Sequence, residues 1–216
     1  MNLDFSQFDA VLFDLDGTLV LTEHVWQAAK KSTAAQHGVH VSDDVLETHV
    51  GRRLVDFVSE HLFDPQHRPN EHKSAIDDIT SVALERLKDE LMPVPGATDL
   101  VRYLSRKERR LAICSSAPLS AIHIALDVLS VRECFGQIIS AAEMPIGKPD
   151  PAPYQKTLDM LGLSASRAMA IEDSIIGVKS AKSAGLFTVA VGGDQAVTDS
   201  GLADILYPQL GDIVLT

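Results

Sequence analysis

The sequence predicts a doubly wound α/β domain interrupted, just after its first strand, by an all-helical insertion. Three observations carry that expectation. A short, wholly apolar run at residues 10–13 has similar runs at 111–114, 138–139, 168–171 and 187–191, and such runs read as parallel strands buried on both faces. Amphipathic patterns of helical period lie between the later runs, and alternation of strand and helix is the mark of a parallel sheet wrapped by helices. The stretch from about Leu19 to Met92 breaks this rhythm, offering helical patterns and no convincing strand.

In chain order, Ala-Val-Leu-Phe at 10–13 forms the first strand and runs directly into Asp14. The insertion follows, with helical patterns near 23–37, 43–48, 52–62 and 71–91. Ile76, Ile79, Ala83, Leu87 and Leu91 keep a three-to-four spacing, which predicts one buried face along a long helix. Asn70 suits the N-cap before it. Met92-Pro93-Val94-Pro95-Gly96 then punctuates the return to the α/β pattern. Helices are expected at 97–107, 119–129, 152–161 and 175–184, with Gly162 and Gly185 placed to end the last two. The expected division is a core of residues 1–18 and 95–216 and an insertion of residues 19–94.

The chain of 216 residues is long enough for a sizeable core, and 45% hydrophobic with 23% charged residues is ordinary for a globular protein. The net charge of -11, from 19 basic and 30 acidic residues, disfavours nucleic acid or an anionic membrane as partner. An anionic substrate would therefore need local positive charge, from lysine, arginine or a metal. Cys114 and Cys134 have no metal-like or redox spacing and are expected as buried free thiols. No run approaches the roughly 18 apolar residues of a membrane span. The start of the chain lacks the basic and apolar stretches of a secretion signal. A cytoplasmic enzyme fits these bounds; the oligomeric state is left open.

The chemistry is concentrated at the expected strand ends, where ligands bind in parallel sheets. The first strand leads into Asp14-Leu15-Asp16-Gly17-Thr18-Leu19. Asp14 can act as a nucleophile on phosphorus, giving an aspartyl-phosphate. Asp16 can protonate the leaving oxygen and later take a proton from water. Gly17 lets the backbone turn sharply. Two solvated aspartates in a polar turn are the alternative. Ser115 and Ser116 follow the second run and offer hydroxyls and N–H groups to a phosphate oxygen, although serines there are commonly turn formers. Gly147-Lys148-Pro149-Asp150-Pro151 sets one lysine in a constrained loop, suited to a phosphate contact. Glu172 and Asp173 precede a helix whose dipole they would complement. They also supply the oxygens that a hard cation such as magnesium requires.

Together these four segments resemble the four motifs of the haloacid dehalogenase superfamily, in order and spacing, from Asp14 to Asp173. The insertion resembles the helical cap of the branch containing phosphoglycolate phosphatases, sugar phosphatases and beta-phosphoglucomutase. The resemblance implies a Rossmann-like core, a closing cap and a magnesium-dependent phosphatase acting on a small phosphorylated metabolite. The run Ser115-Ser116-Ala117-Pro118-Leu119 is similar to segments of sugar and hexitol phosphatases, which makes a sugar or polyol phosphate the expected substrate. By the same resemblance Asp14 is the nucleophile and Asp16 the acid/base, while Ser115, Ser116 and Lys148 hold the phosphoryl group. Magnesium would be held by Asp14, the Asp16 carbonyl, Asp173 and Glu172, the last directly or through water.

Two positions depart from the family pattern: many relatives carry an aspartate where Leu21 stands, and the arginine of the mutase cap falls near Leu54. A phosphosugar mutase of the beta-phosphoglucomutase type is the first alternative. A haloalkanoate dehalogenase has no use for Asp16. A phosphate-ester binding module without activity gains nothing from a nucleophile and a proton donor. Glu23, Trp26, Arg52 and Arg53 are the insertion's candidates for reading the substrate, against packing for Trp26 and a solvated surface for the arginines. Seven of the eight histidines lie between His24 and His72, but without the helical spacing of a metal site. The basic cluster Arg106, Lys107, Arg109 and Arg110 reads as a solvated helix end.

Overall fold

The structure, a computed structural model, describes residues 3–214; residues 1, 2, 215 and 216, expected in the core, lie outside the described residues. The elements in order are β1 (Ala10–Phe13), β2 (Val20–Leu21), α1 (Glu23–Gln36), α2 (Asp43–Glu47), α3 (Leu54–His61), α4 (Pro69–Glu90) and β3 (Met92–Pro93). They continue with α5 (Ala97–Arg106), β4 (Arg110–Ser115), α6 (Leu119–Val128), β5 (Phe135–Ser140), α7 (Ala152–Leu161) and β6 (Ala168–Glu172). The last are α8 (Ile175–Ser183), β7 (Phe187–Val191), α9 (Gln195–Ser200) and β8 (Ile205–Tyr207).

Six strands form one parallel sheet in the order β5-β4-β1-β6-β7-β8. The chain builds outward from β1 on one side, then returns to build on the other. The end of β1 is thus the topological switch point, where an open α/β sheet leaves its crevice. The apolar run at 10–13 works because both faces are covered. Val11 and Phe13 join one buried cluster, Ala10 and Leu12 the other. All four are fully buried. In the core, β8, whose Leu206 is exposed, and the short α9 before it escaped the sequence reading. Gly162 ends α7 in the left-handed conformation at φ +62°, as expected of a C-cap glycine.

The insertion is helical apart from one detail. Its two ends pair as a short antiparallel ribbon, Val20 opposite Pro93 and Leu21 opposite Met92. Two-residue strands leave no periodic trace, so the sequence showed none. The buried positions of α4 are His72, Ala75, Ile79, Ala83 and Leu87, spaced by three and four residues. Ile76, expected on this face, is half-buried. Asn70 does not cap the helix: Arg68 occupies the N-cap and Pro69 the first turn, where proline's missing N–H and fixed φ are favourable. Likewise α3 starts at Leu54, with Arg53 at its N-cap.

Both cysteines are free, Cys114 buried and Cys134 half-buried. Among the described residues, no helix is long and apolar enough to cross a membrane.

Candidate active site

Asp14 leaves the end of β1, flanked by the ends of β4 and β6. Lys148 comes from the loop before α7 and is buried to 3% exposure. Its Nζ donates to Asp14 Oδ1 and Glu172 Oε1, both at 2.6 Å. The Glu172 side chain, fully buried at the end of β6, also accepts from Tyr154 Oη at 2.7 Å. Lys148 Nζ lies 5.1 Å from the centre of the Tyr154 ring. The loop lysine is therefore held as a fixed charge against Asp14 rather than solvated. Its pKa is raised, because Asp14 and Glu172 outweigh the cost of burial. Burial pushes Asp14 up to about 8; Lys148 pulls the other way, and Glu172 and Asp16 add repulsion.

The backbone turn after β1 separates Asp16 from this cluster. Asp16 Oδ1 accepts from Thr22 Oγ1 and, at 3.1 Å, from Trp26 Nε1. Ser115 Oγ lies 3.5 Å from Asp16 Oδ2 and accepts from the Ala117 N–H at 3.0 Å. Burial raises the Asp16 pKa against these hydrogen bonds. Two neighbouring acids thus meet different surroundings: Asp14 faces an ammonium, Asp16 neutral donors from the cap. Gly17 has φ +85°, and a Cβ there would lie 1.9 Å from Asp173 Oδ2, so only glycine lets the turn approach the second acidic loop. Gly177 has the same relation to Glu172, at 2.0 Å.

Asp14, Glu172 and Asp173 bring ligand oxygens within 4.8 Å of one another. Three carboxylates against the single Lys148 ammonium leave two negative charges unbalanced. Accordingly Asp173 is pushed well above the carboxylate range, by burial first and then by Asp14 and Glu172. An all-oxygen donor set with an unmet charge of that size fits a hard dication such as magnesium.

Above Asp14 and Asp16 lies a partly open cavity of about 40 Å³, lined on the cap side by Glu23, Trp26, Lys30, His49, Gly51, Arg52 and Leu54. Ser116, Ala117 and Pro118 close it from the core. Of the candidates read from the sequence, Glu23, Trp26, Arg52 and Ser116 reach this space, and Trp26 combines packing with a hydrogen bond to Asp16. Arg53 lies elsewhere. Its guanidinium is bonded to both Asp56 oxygens and, at 2.7 Å, to the Met144 carbonyl, tying cap to core beside Gly147.

Lys30, His49, Thr22 and Tyr154 were not singled out from the sequence. Thr22 meets Asp16 only through the turn after β1 and Tyr154 meets Glu172 only once α7 packs beside β6, and a lone lysine or histidine in the insertion gives no local sign of facing a cavity. The histidines are less scattered than their spacing implied. His49 Nε2 and His61 Nε2 lie 2.8 Å apart. Glu60 Oε2 is 3.3 Å from His49 Nε2, and Arg52 holds both Glu60 oxygens.

The sequence profile of the haloacid dehalogenase-like hydrolases matches residues 8–185. The chain is 28% identical to validoxylamine A 7'-phosphate phosphatase of Streptomyces hygroscopicus subsp. limoneus, covering 95% of the chain and 96% of that protein. It is 26% identical to hexitol phosphatase B of Escherichia coli, covering 96% and 95%. The crystal structure of CbbY from Rhodobacter sphaeroides in complex with phosphate superposes with a TM-score of 0.81 at 26% identity, covering 95% and 96% of the two chains.

Proposed function

The chain belongs to the haloacid dehalogenase-like hydrolases, and on that premise we propose that it is a magnesium-dependent phosphatase of sugar or polyol monophosphates, working through an aspartyl-phosphate. The pairing of Asp14 with Lys148 beneath a cavity between cap and core, with Asp16 held apart on Thr22 and Trp26, carries the reading. Relatives named as a validoxylamine A 7'-phosphate phosphatase and a hexitol phosphatase support it.

In this reading Asp14 attacks phosphorus and Lys148 neutralises both the attacking carboxylate and an equatorial phosphoryl oxygen. Ser115 and Ser116 offer further donors to the phosphoryl group. Asp16, whose pKa burial raises, starts protonated. It gives its proton to the leaving alkoxide and later takes one from the attacking water. Thr22 and Trp26 come from the cap, so Asp16 is correctly oriented only when the cap is closed. Magnesium would be held by Asp14, Asp173, the Asp16 carbonyl and Glu172, and when bound it supplies charge neutralisation around the phosphate. Glu172 also anchors Lys148 through Oε1.

Residues 1–18 and 95–216 serve as core and residues 19–94 as cap, with the β2–β3 ribbon as the joint. Leu54, lining the cavity near the position of the mutase arginine, favours hydrolysis over a mutase. A cytoplasmic setting, with both thiols reduced, belongs to the same reading.

The test is Asp16→Asn with Asp14 intact. A nitrophenyl ester needs little protonation, so the variant should give a burst of nitrophenol and retain phosphate on the acid-quenched protein. An alkyl phosphate should show no burst. Equal impairment on both esters, with no trapped phosphate, would remove Asp16 as the acid/base.

A further inference from the structure

The core half of the site accounts for the phosphate and leaves the rest of the substrate unread. Three buried polar atoms and one buried ammonium on the cavity lining make no hydrogen bond among the described residues. Glu23 Oε1, His49 Nδ1 and Ser116 Oγ are buried and make no hydrogen bond. Lys30, buried to 4% exposure, makes no hydrogen bond or ion pair; the Phe57 ring lies 5.6 Å from its Nζ, and Glu23 acts on it only through its charge. A buried polar atom with no partner costs about 1–3 kcal/mol. Such groups gathered around one cavity point to a ligand that completes them.

Their chemistry defines that ligand. His49 Nε2 faces His61 Nε2 at 2.8 Å and Glu60 Oε2, which can only accept, at 3.3 Å; both accept from a proton on Nε2, which places the ring proton there. His49 stays neutral, because burial and the nearby Arg52 push its pKa down to about 4. Its Nδ1 is then purely an acceptor. Glu23 is a second acceptor and Lys30 a donor, and the two charges cancel. Arg52 adds no free cation, since Glu60 takes its guanidinium in a bidentate pair. A hydroxyl group donates and accepts at once, so neighbouring hydroxyls satisfy this set. A carboxylate or a second phosphate can only accept and would meet two acceptors with one lysine already balanced.

We infer that Lys30 and His49, together with Glu23, form a subsite for the neighbouring hydroxyls of a neutral leaving group, selecting polyol monophosphates over carboxylated or doubly phosphorylated esters. This rests on the phosphatase reading above and deepens it. Lys30 spans two helical turns from Glu23 on α1, while His49 enters from the segment after α2, so the subsite forms only when the cap is folded as seen.

The experiment measures kcat/KM on hexitol 6-phosphate, phosphoglycolate, a hexose bisphosphate and p-nitrophenyl phosphate for the wild type, Lys30→Met, His49→Phe and Glu23→Gln. The wild type should prefer the hexitol phosphate to phosphoglycolate and to the bisphosphate by about 100-fold or more. Lys30→Met and His49→Phe should lose at least tenfold more on the hexitol phosphate than on the nitrophenyl ester, which has no hydroxyls to read. Glu23→Gln leaves Lys30 unbalanced, so activity on phosphoglycolate should rise while that on the hexitol phosphate falls, a crossover that an unfolded sample cannot produce. If the nitrophenyl ester is hydrolysed but phosphoglycolate or the bisphosphate is preferred, or if the variants lose equally on every ester, the subsite is wrong and the phosphatase stands. Hydrolysis of no ester at all would overturn the phosphatase reading and the subsite with it.

Discussion

The floor of the cavity and its roof are built on opposite principles. On the floor, Lys148, Asp14, Glu172 and Tyr154 saturate one another at 2.6–2.7 Å, with Gly17 and Gly177 admitting backbone where any side chain would collide. In the roof, Glu23 Oε1 and His49 Nδ1 are buried and unbonded, and Lys30 makes no hydrogen bond or ion pair among the described residues. A saturated cluster is preorganised, because its groups are held before the substrate arrives. An unsaturated one waits for a partner and takes its definition from the ligand. The floor suits a group every substrate shares, the phosphoryl; the roof suits whatever differs.

The largest expected effect tests the floor. Asp14→Asn keeps the shape of the side chain and removes the attacking charge, so turnover should fall at least about 10³-fold, the scale for losing a nucleophile. Circular dichroism should show an unchanged fold. Chelation should likewise abolish activity, with magnesium restoring it and calcium inhibiting. Retention of more than a few per cent of activity by a folded Asp14→Asn sample, or full activity in excess chelator, would dissolve the contrast at its base.

The contrast sharpens when the two buried lysines are removed in turn. Lys148→Met strands Asp14 and Glu172, so unfolding by denaturant should show a loss of about 3–5 kcal/mol, the usual cost of breaking a buried ion pair. Lys30→Met removes an ammonium whose pKa burial lowers, with no hydrogen bond to lose. A depressed lysine pKa means the unfolded chain binds the proton more readily, so the charged side chain works against folding at neutral pH. Lys30→Met should therefore cost less than about 1 kcal/mol or stabilise. Equal losses in the two variants would show that floor and roof are held alike.

The same contrast explains what could be read in advance. The floor was legible because each of its acids, and the lysine, sits at a strand end or in a Gly/Pro-framed loop, and strand ends of a parallel sheet converge. Asp14, Asp16, Lys148, Glu172 and Asp173 all lie where that rule places them. The roof was hidden because a helix scatters its cavity-facing residues. Lys30 looks like any solvated lysine on α1, and His49 meets His61 and Glu60 only after α2 and α3 have packed. Arg52 and Arg53 were noticed for their charge, yet Glu60 and Asp56 occupy their guanidiniums. Among the elements, β8 was missed for a related reason: with Ile205 and Leu206 incompletely buried, it lacks the apolar run of a central strand.

The smallest expected effect concerns His49 and has a definite sign. Burial lowers its folded pKa to about 4, against roughly 6.5 when unfolded. Between those values the unfolded chain binds a proton that the folded chain refuses, so this residue makes stability rise with pH, by at most about 1.4 kcal/mol per pH unit. Below about 4 both states are protonated and above about 6.5 neither is, so the slope vanishes outside that window. Asp14 contributes the opposite sign: its raised pKa lets the folded chain keep a proton that the unfolded chain has already released between about 4 and 8. The wild-type curve alone therefore mixes floor and roof. Denaturant unfolding of wild type and His49→Gln in parallel, in chelator, isolates the roof, because the floor is common to both. The stability advantage of the wild type should shrink steadily as pH falls from 6.5 to 4 and stay flat from 7 to 8. Parallel curves across the acid range would mean that His49 takes up a proton as freely in the folded cap as in water. Its Nδ1 would then carry a proton below about pH 6.5, and the hydroxyl-reading roof would keep that acceptor only above it.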